Sequence, residues 1–344
     1  MSFTRRRRYH QTRRRSSSAS CRWGSVVNLS EVAHELEATF GERSERDAAL
    51  GELTTYRVGG RASIRVRVES ASDLEVIGKL IAKSGSQFAV VGRGSNLLVA
   101  DEGFDGIVIT LGDGLASIDI SGTTVRAGGA VPLPVVARRT AAAGLTGFEW
   151  AVGVPGSIGG AIRMNAGGHG SDMAQSLVTV RVVDLASGNQ AQLSLADLEL
   201  GFRSSVLGRS LVVTEAELAL AVGDRAVAEA EISEIVRWRR ENQPGGANAG
   251  SVFVNPRPDS AGRLVDESGA KGLRIGSAEV STKHANFIQV DDGGSANDVA
   301  ALMTAVRAQV RDHTGVDLHA ETHFLGFASH VAAAAGAQRV EDFA

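Results

Sequence analysis

The sequence predicts a mixed α+β chain in two parts, and three observations support this fold class. Short segments that alternate apolar and polar side chains, typical of half-buried strands, occur together with helical segments before residue 222. The composition then changes to a charged helical stretch over residues 224–241, followed by a smaller α/β unit. Forty-one glycines without a collagen-like period indicate backbone that turns sharply or approaches another group closely. We therefore expect a first domain over residues 50–222 and a smaller domain over 223–327.

Apolar periodicity and turn residues define the elements of the first domain. Residues 64–68 alternate apolar and polar side chains, which predicts a strand, and residues 71–84 have helical spacing. A short helix is expected within 32–40, ahead of an ordered body that begins near Thr54. The other predictions are strands at 88–91, 107–111, 178–185, 191–195 and 211–220, a hairpin at 117–127, and a helix at 132–143 that stops at Gly144.

The second domain has fewer elements. Residues 285–290 predict a strand, and a capping-box-like start at Ser295 precedes a helical apolar face over residues 299–310. A final strand is expected at 318–325. The alanine-rich segment 328–344 is expected to fray.

Charge and cysteine usage bound the function classes. Residues 1–30 contain eight arginines and no acid, which leaves 28 basic against 39 acidic residues, a net charge of −11, for the remainder. We expect residues 1–49 to form a basic disordered arm and a short helix, and we favour a solvated extension over an arm that binds nucleic acid or a membrane surface. The acidic body disfavours a nucleic-acid partner.

The single cysteine, Cys21, excludes an internal disulfide framework and favours a reducing, cytoplasmic location. The sequence has no apolar run of 18 residues, so no membrane-spanning helix is expected. It does not define an oligomeric state, although a monomer is favoured.

Two glycine clusters are typical of backbone that holds an anion. The first is Val91, Gly92, Arg93, Gly94, Ser95, Asn96 and Leu97, and the second contains Gly153, Pro155, Gly156, Ser157, Gly159, Gly160 and Ile162. Closely spaced glycines with Ser and Asn let successive backbone N–H groups turn inward and bind phosphate. Neither cluster matches G-x-G-x-x-G or a P-loop, so they indicate either a dinucleotide held without that fingerprint or tight turns between strands. Two clusters in one domain favour the dinucleotide, and the rigid second cluster suits a flat ring such as isoalloxazine.

Three polar residues are candidates for chemistry. Arg203 can neutralise an oxyanion, Ser251 can donate a proton, and Glu321 can assist either role. Each has a structural alternative: a surface ion pair for Arg203, a turn cap for Ser251 and a solvent-facing position for Glu321. His319 and His323 flank Glu321 two residues away on each side, but no fourth ligand is evident and we expect no metal.

Taken together, the motifs resemble those of the UDP-N-acetylenolpyruvoylglucosamine reductases. The resemblance spans about residues 50–327 in seven ordered places: 54–60, 91–96, 153–161, 201–205, 250–256, 281–288 and Glu321. It implies a two-part FAD-binding fold of the vanillyl-alcohol oxidase type with a smaller C-terminal α/β substrate domain. It also implies non-covalent FAD, NADPH as electron donor and a UDP-sugar substrate. The first glycine cluster would hold the FAD pyrophosphate and the second would run beside the flavin.

The resemblance further implies residue roles in reducing the enolpyruvyl group of that UDP-sugar. Arg203 would stabilise an enolate-like intermediate, Ser251 would protonate it, and Glu321 would assist if burial raises its pKa. Asn255, Lys283 and His284 align with substrate-contacting positions. This chain departs from the family pattern at Phe202, Arg163 and His169, and the tyrosine-bearing substrate loop of one subclass is absent. Two alternatives are a flavin oxidase of the same fold and a non-enzymatic flavin- or nucleotide-binding regulator in which the basic arm contacts DNA.

Overall fold

A four-stranded sheet covered by two helices forms the N-terminal layer of the computed structural model, which describes residues 29–343. Its elements are α1 (Leu29–Phe40), β1 (Ser44–Ala49), β2 (Arg61–Val68), α2 (Ala71–Ser84), β3 (Phe88–Val90), β4 (Leu97–Val99) and β5 (Phe104–Leu111). The sheet order is β1-β2-β5-β3, in which β5 runs parallel to β2 and β3. Leu36 of α1 and Leu74 of α2 are buried against Ile64 of β2. Residues 1–28 of the predicted basic arm lie outside the described residues.

The prediction that the ordered body begins near Thr54 is wrong. Strand β1 pairs antiparallel with β2 along its whole length, and α1 contributes to the same core. The residues of β1 are mostly polar because it is an edge strand, which buries only Ala48 fully. Edge strands with charged side chains are common because the charges discourage pairing with another chain. Residues 29–49 therefore belong to the first layer rather than to a separate arm.

A five-stranded antiparallel sheet forms the second layer. The elements of this region are β6 (Ile118–Ser121), β7 (Thr124–Gly128), α3 (Leu133–Ala142), β8 (Leu145–Thr146), α4 (Ile158–Arg163), β9 (Gly167–Gly168), β10 (Ser171–Asp172), β11 (Leu177–Asp184), β12 (Gln190–Ser194), β13 (Leu211–Ala219), β14 (Ala221–Val222) and α5 (Arg225–Asn242). The sheet order is β12-β11-β13-β7-β6. Gly144 has φ +74°, the left-handed conformation predicted after α3. Helix α5 follows residue 222 but packs on this second layer, where it buries Ala228, Ile232 and Ile235.

The third region is a smaller α/β unit whose apolar core also includes Tyr56, Val58, Leu98 and Ala100 of the first region. Its elements are α6 (Ala261–Glu267), β15 (Arg274–Ile275), β16 (Ala278–Val280), β17 (Ile288–Val290), α7 (Ala296–Thr314), β18 (His323–Leu325) and α8 (Ser329–Ala335). Ser295 caps α7, since its hydroxyl accepts a hydrogen bond from the Asp298 N–H at 3.2 Å. The Asp298 carboxylate binds the N–H and hydroxyl of Ser277 instead of completing the box. The predicted helix start at Ser295 is therefore confirmed. The Asp298 carboxylate instead connects α7 to Ser277, which lies between β15 and β16.

The last strand returns to the first layer. Strand β18 pairs in parallel with β4, so residues near the end of the described chain join the segment that follows the first glycine cluster. Only the final three residues of the predicted strand 318–325 form it, and Glu321 lies in the turn before it.

The alanine-rich tail is folded, contrary to the prediction, as far as it is described. Helix α8 buries Ala332 and Ala335 in the core to which α7 contributes Val306 and Val310. Small alanine side chains let α8 approach α7 closely. Within residues 29–343, no helix has the length and apolarity needed to cross a membrane.

Candidate active site

A cavity of about 650 Å³ is lined by residues from all three regions. Its lining includes residues of both glycine clusters and each of the three polar candidates, Arg203, Ser251 and Glu321. The volume is in the usual range for a small-molecule or cofactor site. The residues predicted to bind a cofactor and those predicted to carry chemistry therefore share one cavity.

The first glycine cluster forms the loop between β3 and β4, and all seven of its predicted residues, 91–97, line the cavity. Gly94 has φ +54°, and a side chain there would clash with the carbonyl oxygen of Leu53. A Cβ at Gly92 would lie 2.8 Å from the Ser157 hydroxyl of the second cluster. Gly94 therefore allows close approach of the backbone at Leu53, and Gly92 allows close approach of the Ser157 side chain, as expected for a loop whose N–H groups bind an anion.

The second cluster leads into α4, and most of its predicted residues line the cavity. Gly153, Pro155, Gly156, Ser157 and Gly160 do so. Gly159 and Ile162 do not line it, because the turn of the helix points them toward the second sheet, and their contact with a cofactor stays a prediction. The Gly159 N–H donates to the Gly129 carbonyl at 2.9 Å, and Ile162 is fully buried in the apolar core.

The charge of the cavity wall is strongly positive. Among the described residues that line it are five arginines and, of the Asp and Glu residues, only one carboxylate, Glu321. The arginines are Arg93, Arg163, Arg203, Arg209 and Arg239. Burial lowers the pKa of the Arg163 and Arg239 guanidinium groups, and neither forms an ion pair with a carboxylate among the described residues. Such a wall favours ligands that carry several negative charges, such as diphosphates.

Arg203 is held in a strained conformation beside Glu321. Its φ is +55°, which is rare for a residue with a side chain and is typical of functional sites. Its Nε lies 2.9 Å from Oε1 of Glu321 without making a hydrogen bond, while a terminal N–H donates to the Gly167 carbonyl at 3.0 Å. The exposed ring of Phe202 lies 5.3 Å from the guanidinium carbon. Phe202 therefore supports Arg203 through its ring, without the hydroxyl that the family pattern has.

Backbone hydrogen bonds place Glu321 next to Ser251. The Glu321 N–H donates to the carbonyl of Val252 at 2.7 Å, and the Asn96 side-chain amide donates to the Glu321 carbonyl at 2.9 Å. Asn96 of the first cluster thus positions the segment that carries Glu321. Burial raises the pKa of the Glu321 carboxyl, and the nearby Arg203 charge opposes that rise. A raised pKa is the condition under which Glu321 is expected to assist.

Asn255, Lys283 and His284 are not among the residues that line the cavity. Each has a partner elsewhere: the Asn255 amide oxygen accepts from the Ala261 N–H at 3.0 Å, and the Lys283 ammonium donates to the Arg240 carbonyl at 2.6 Å. His284 Nδ1 accepts from the Asn286 N–H at 3.2 Å. Their contact with a substrate stays a prediction, and the structure gives each a role inside the protein.

Several cavity residues were missed from the sequence. They are chiefly Trp238, Arg239 and Gln243 of α5 or its end, His323 of β18, and Val340 and Phe343 of the tail. Neither a charged helix nor an alanine-rich tail carries a signal of ligand binding. His169 was noted only as a departure from the family pattern, yet it has φ +51° and meets Trp238 edge-on with ring centroids 5.2 Å apart.

Known proteins match this chain over most of its length. Residues 62–194 match a family model described as FAD binding domain, and residues 242–325 match the C-terminal domain of UDP-N-acetylenolpyruvoylglucosamine reductase. UDP-N-acetylenolpyruvoylglucosamine reductase 1 from Bacillus anthracis is 38% identical over 87% of this chain and 100% of its own length. The one from Synechococcus sp. (strain RCC307) is 42% identical over 84% of this chain and 97% of its own. The crystal structure of the Thermus caldophilus reductase has a TM-score of 0.72 at 35% identity, covering 82% of this chain and 98% of that chain.

The glycine backbone and the arginine-rich wall fit the diphosphate and flat ring system of FAD, so fold and site together define an FAD-dependent oxidoreductase. Within that class, the chain belongs to the UDP-N-acetylenolpyruvoylglucosamine reductase family. The predicted α+β FAD-binding fold, the FAD cofactor and the enzyme class are confirmed.

Proposed function

We propose that this chain reduces the enolpyruvyl double bond of UDP-N-acetylglucosamine enolpyruvate to give UDP-N-acetylmuramate for peptidoglycan synthesis, in the cytoplasm. The observation that carries the proposal is the convergence of Arg203, Ser251 and Glu321 on the cavity that both glycine clusters line. The positive wall suits a substrate that carries a diphosphate and a carboxylate. FAD, reduced by NADPH, supplies the hydride when it is bound.

Arg203 is assigned the stabilisation of negative charge. Hydride addition to the double bond moves charge onto the adjoining carboxylate of the substrate, and a fixed guanidinium there lowers the energy of that state. The strained backbone and the contact with Glu321 hold the guanidinium in place before substrate arrives. Its Nε faces Glu321 and one terminal N–H is bound to the Gly167 carbonyl, so the other terminal N–H groups are the donors left for a substrate carboxylate.

Ser251 is assigned the protonation of the adjacent carbon. A serine hydroxyl is a weak acid, so it donates only to a strongly basic enolate-like carbon or relays a proton from water. Glu321 assists this step as a neutral acid, since an ionised carboxylate would repel the developing negative charge. Burial raises the pKa of Glu321 in the direction that this role needs, and the Arg203 charge opposes that rise.

Separate measurement of the two half-reactions tests these roles. In Ser251→Ala, we expect anaerobic flavin reduction by NADPH to keep nearly its normal rate, while reoxidation by the UDP-enolpyruvyl sugar slows by about 10²- to 10⁴-fold, the usual contribution of a general acid. Ser251→Cys, which retains a proton donor, should recover part of the lost rate. Equal losses in both half-reactions would contradict the proton-donor assignment.

The same anaerobic experiment separates the oxidase alternative. If reduced enzyme regains its yellow colour only when oxygen is admitted, and not when the UDP-enolpyruvyl sugar is added, the oxidase interpretation replaces this proposal. A protein that cannot be reconstituted with FAD would instead favour a non-enzymatic regulator.

A further inference from the structure

Arg163 is a cation of the cavity wall that has no acidic partner among the described residues. Its guanidinium donates one hydrogen bond, to the Gly208 carbonyl at 2.9 Å, although an arginine carries five N–H donors. Burial disfavours its charge and lowers its pKa. A partly buried arginine that lines a ligand cavity and lacks a carboxylate is one whose counter-charge comes from the ligand.

An aromatic ring from the end of the chain holds this guanidinium in place. The Arg163 guanidinium carbon lies 4.6 Å from the centre of the Phe343 ring, and the same ring meets His323 edge-on at 5.0 Å. A cation over an aromatic face is attracted by the electron density of the ring. Phe343 thus joins Arg163 to the strand that follows Glu321.

The segment that carries Phe343 is fixed to the body at several points. We call residues 336–343 the C-terminal segment. The Phe324 N–H donates to the Gln338 carbonyl at 2.9 Å, and Arg209 donates to the Glu341 carbonyl at 2.6 Å. Val340 and Phe343 of this segment both line the cavity. The segment lies beyond residue 325, where the match to the C-terminal family domain ends.

The position of Arg163 indicates which part of FAD it faces. Helix α4 begins after Ser157, which borders the first glycine cluster, and ends at Arg163. Six residues at about 1.5 Å each separate the two ends by roughly 9 Å, so Arg163 lies away from the phosphate-binding backbone. It lies instead beside His323, two residues after Glu321, at the end of the cavity where chemistry is assigned.

We propose that Arg163, held by Phe343, faces the redox ring of FAD and stabilises the ring when it is reduced, which makes the C-terminal segment part of the cofactor site. The proposal rests on the assignment of the reacting end to Arg203, Ser251 and Glu321. Reduction adds electron density to the ring, and a fixed cation nearby favours that state. Arg163 therefore binds reduced FAD more strongly than oxidised FAD.

The midpoint potential of the bound flavin tests this. We expect Arg163→Met to weaken binding of reduced FAD relative to oxidised FAD by about tenfold, which moves the two-electron potential by about 30 mV to more negative values. Phe343→Leu should shift it in the same direction by less, because the guanidinium is then free to move. Arg163→Lys, which keeps the charge, should stay near the original potential, and Arg138→Met on the exposed face of α3 should not change it.

Titration of the apoprotein with oxidised FAD supplies the second readout. Equal weakening of oxidised and reduced FAD in Arg163→Met would place Arg163 on the diphosphate and overturn the proposal. An unchanged potential would overturn it as well, and tighter FAD binding in Phe343→Leu would show that the segment obstructs the site. The potential is an equilibrium property, so these failures leave the Ser251 half-reaction test unaffected, and the reverse also holds.

Discussion

The glycine-rich wall and the polar group around Arg203 line the same cavity, but they are formed in different ways. The wall is made of two short continuous stretches whose backbone conformation follows from local sequence, such as the positive φ of Gly94. The polar group is assembled from residues 203, 251 and 321, which only tertiary contacts bring together.

In the proposed function, this difference separates cofactor binding from chemistry. A backbone nest binds an anion through N–H groups, which every residue except proline has. Its binding therefore depends on glycines at the positions where a side chain would block the ligand. The polar group acts through side chains, so its function depends on their distances. Substitutions in the two regions should therefore fail in different ways.

The largest effect is expected in the polar group. Arg203→Met should slow reoxidation by substrate by about 10²- to 10³-fold, the typical cost of losing one preorganised charge-stabilising donor. Flavin content and reduction by NADPH should stay close to normal, because the glycine wall is untouched. Stopped-flow absorbance of the two half-reactions measures both. A protein purified without flavin would show that Arg203 also maintains the cofactor site.

A smaller effect is expected in the glycine wall. Gly94→Ala places a residue with a side chain in the left-handed backbone conformation, which costs about 1–3 kcal/mol. The new methyl group would also clash with the carbonyl oxygen of Leu53. FAD affinity, measured by quenching of flavin fluorescence, should fall. Gly122→Ala is the matched control, since it has φ +59° in the β6–β7 turn with nothing within 4 Å of a Cβ. Equal loss of FAD affinity in both variants would show that the effect is general destabilisation.

The smallest effect concerns His323, where the two regions meet. Burial, aided by the Arg163 charge, lowers the pKa of His323 to about 4. In the unfolded chain His323 takes up a proton near pH 6.5, whereas in the folded chain it stays neutral until about pH 4. The folded state therefore becomes less stable as the pH drops from 6.5 to 4. The apoprotein should lose about 2 kcal/mol from this group between pH 7 and pH 5. Urea unfolding of wild type and His323→Gln at both values measures it, and an identical pH dependence in the two proteins would disprove it.

How much the sequence predicts differs between the same two regions. Both glycine clusters were predicted from local pattern, and so were most helices and strands, because turn residues and apolar periodicity act over a few residues. Glu321 was predicted on a strand, but it lies before β18 and is held by a hydrogen bond from Asn96. No pattern within ten residues encodes a contact between positions 225 residues apart.

Of the arginine-rich wall, only Arg93 and Arg203 were predicted as site residues. Arg239 lies in a charged helix that resembles any solvated helix, and it joins the cavity only because α5 packs on the second layer. The tail was expected to fray because alanine-rich sequence carries no apolar stripe, yet small side chains suffice where α8 meets α7. Packing between distant elements decides such positions, and composition does not report it.

The parallel pairing of β4 with β18 has a consequence for synthesis of the protein. Strand β4 has no partner until β18 has left the ribosome, more than 220 residues later. At about 5–20 residues per second, that interval lasts roughly 10–45 s. During it the first layer can fold, but the cavity lacks the wall to which His323, Val340 and Phe343 contribute.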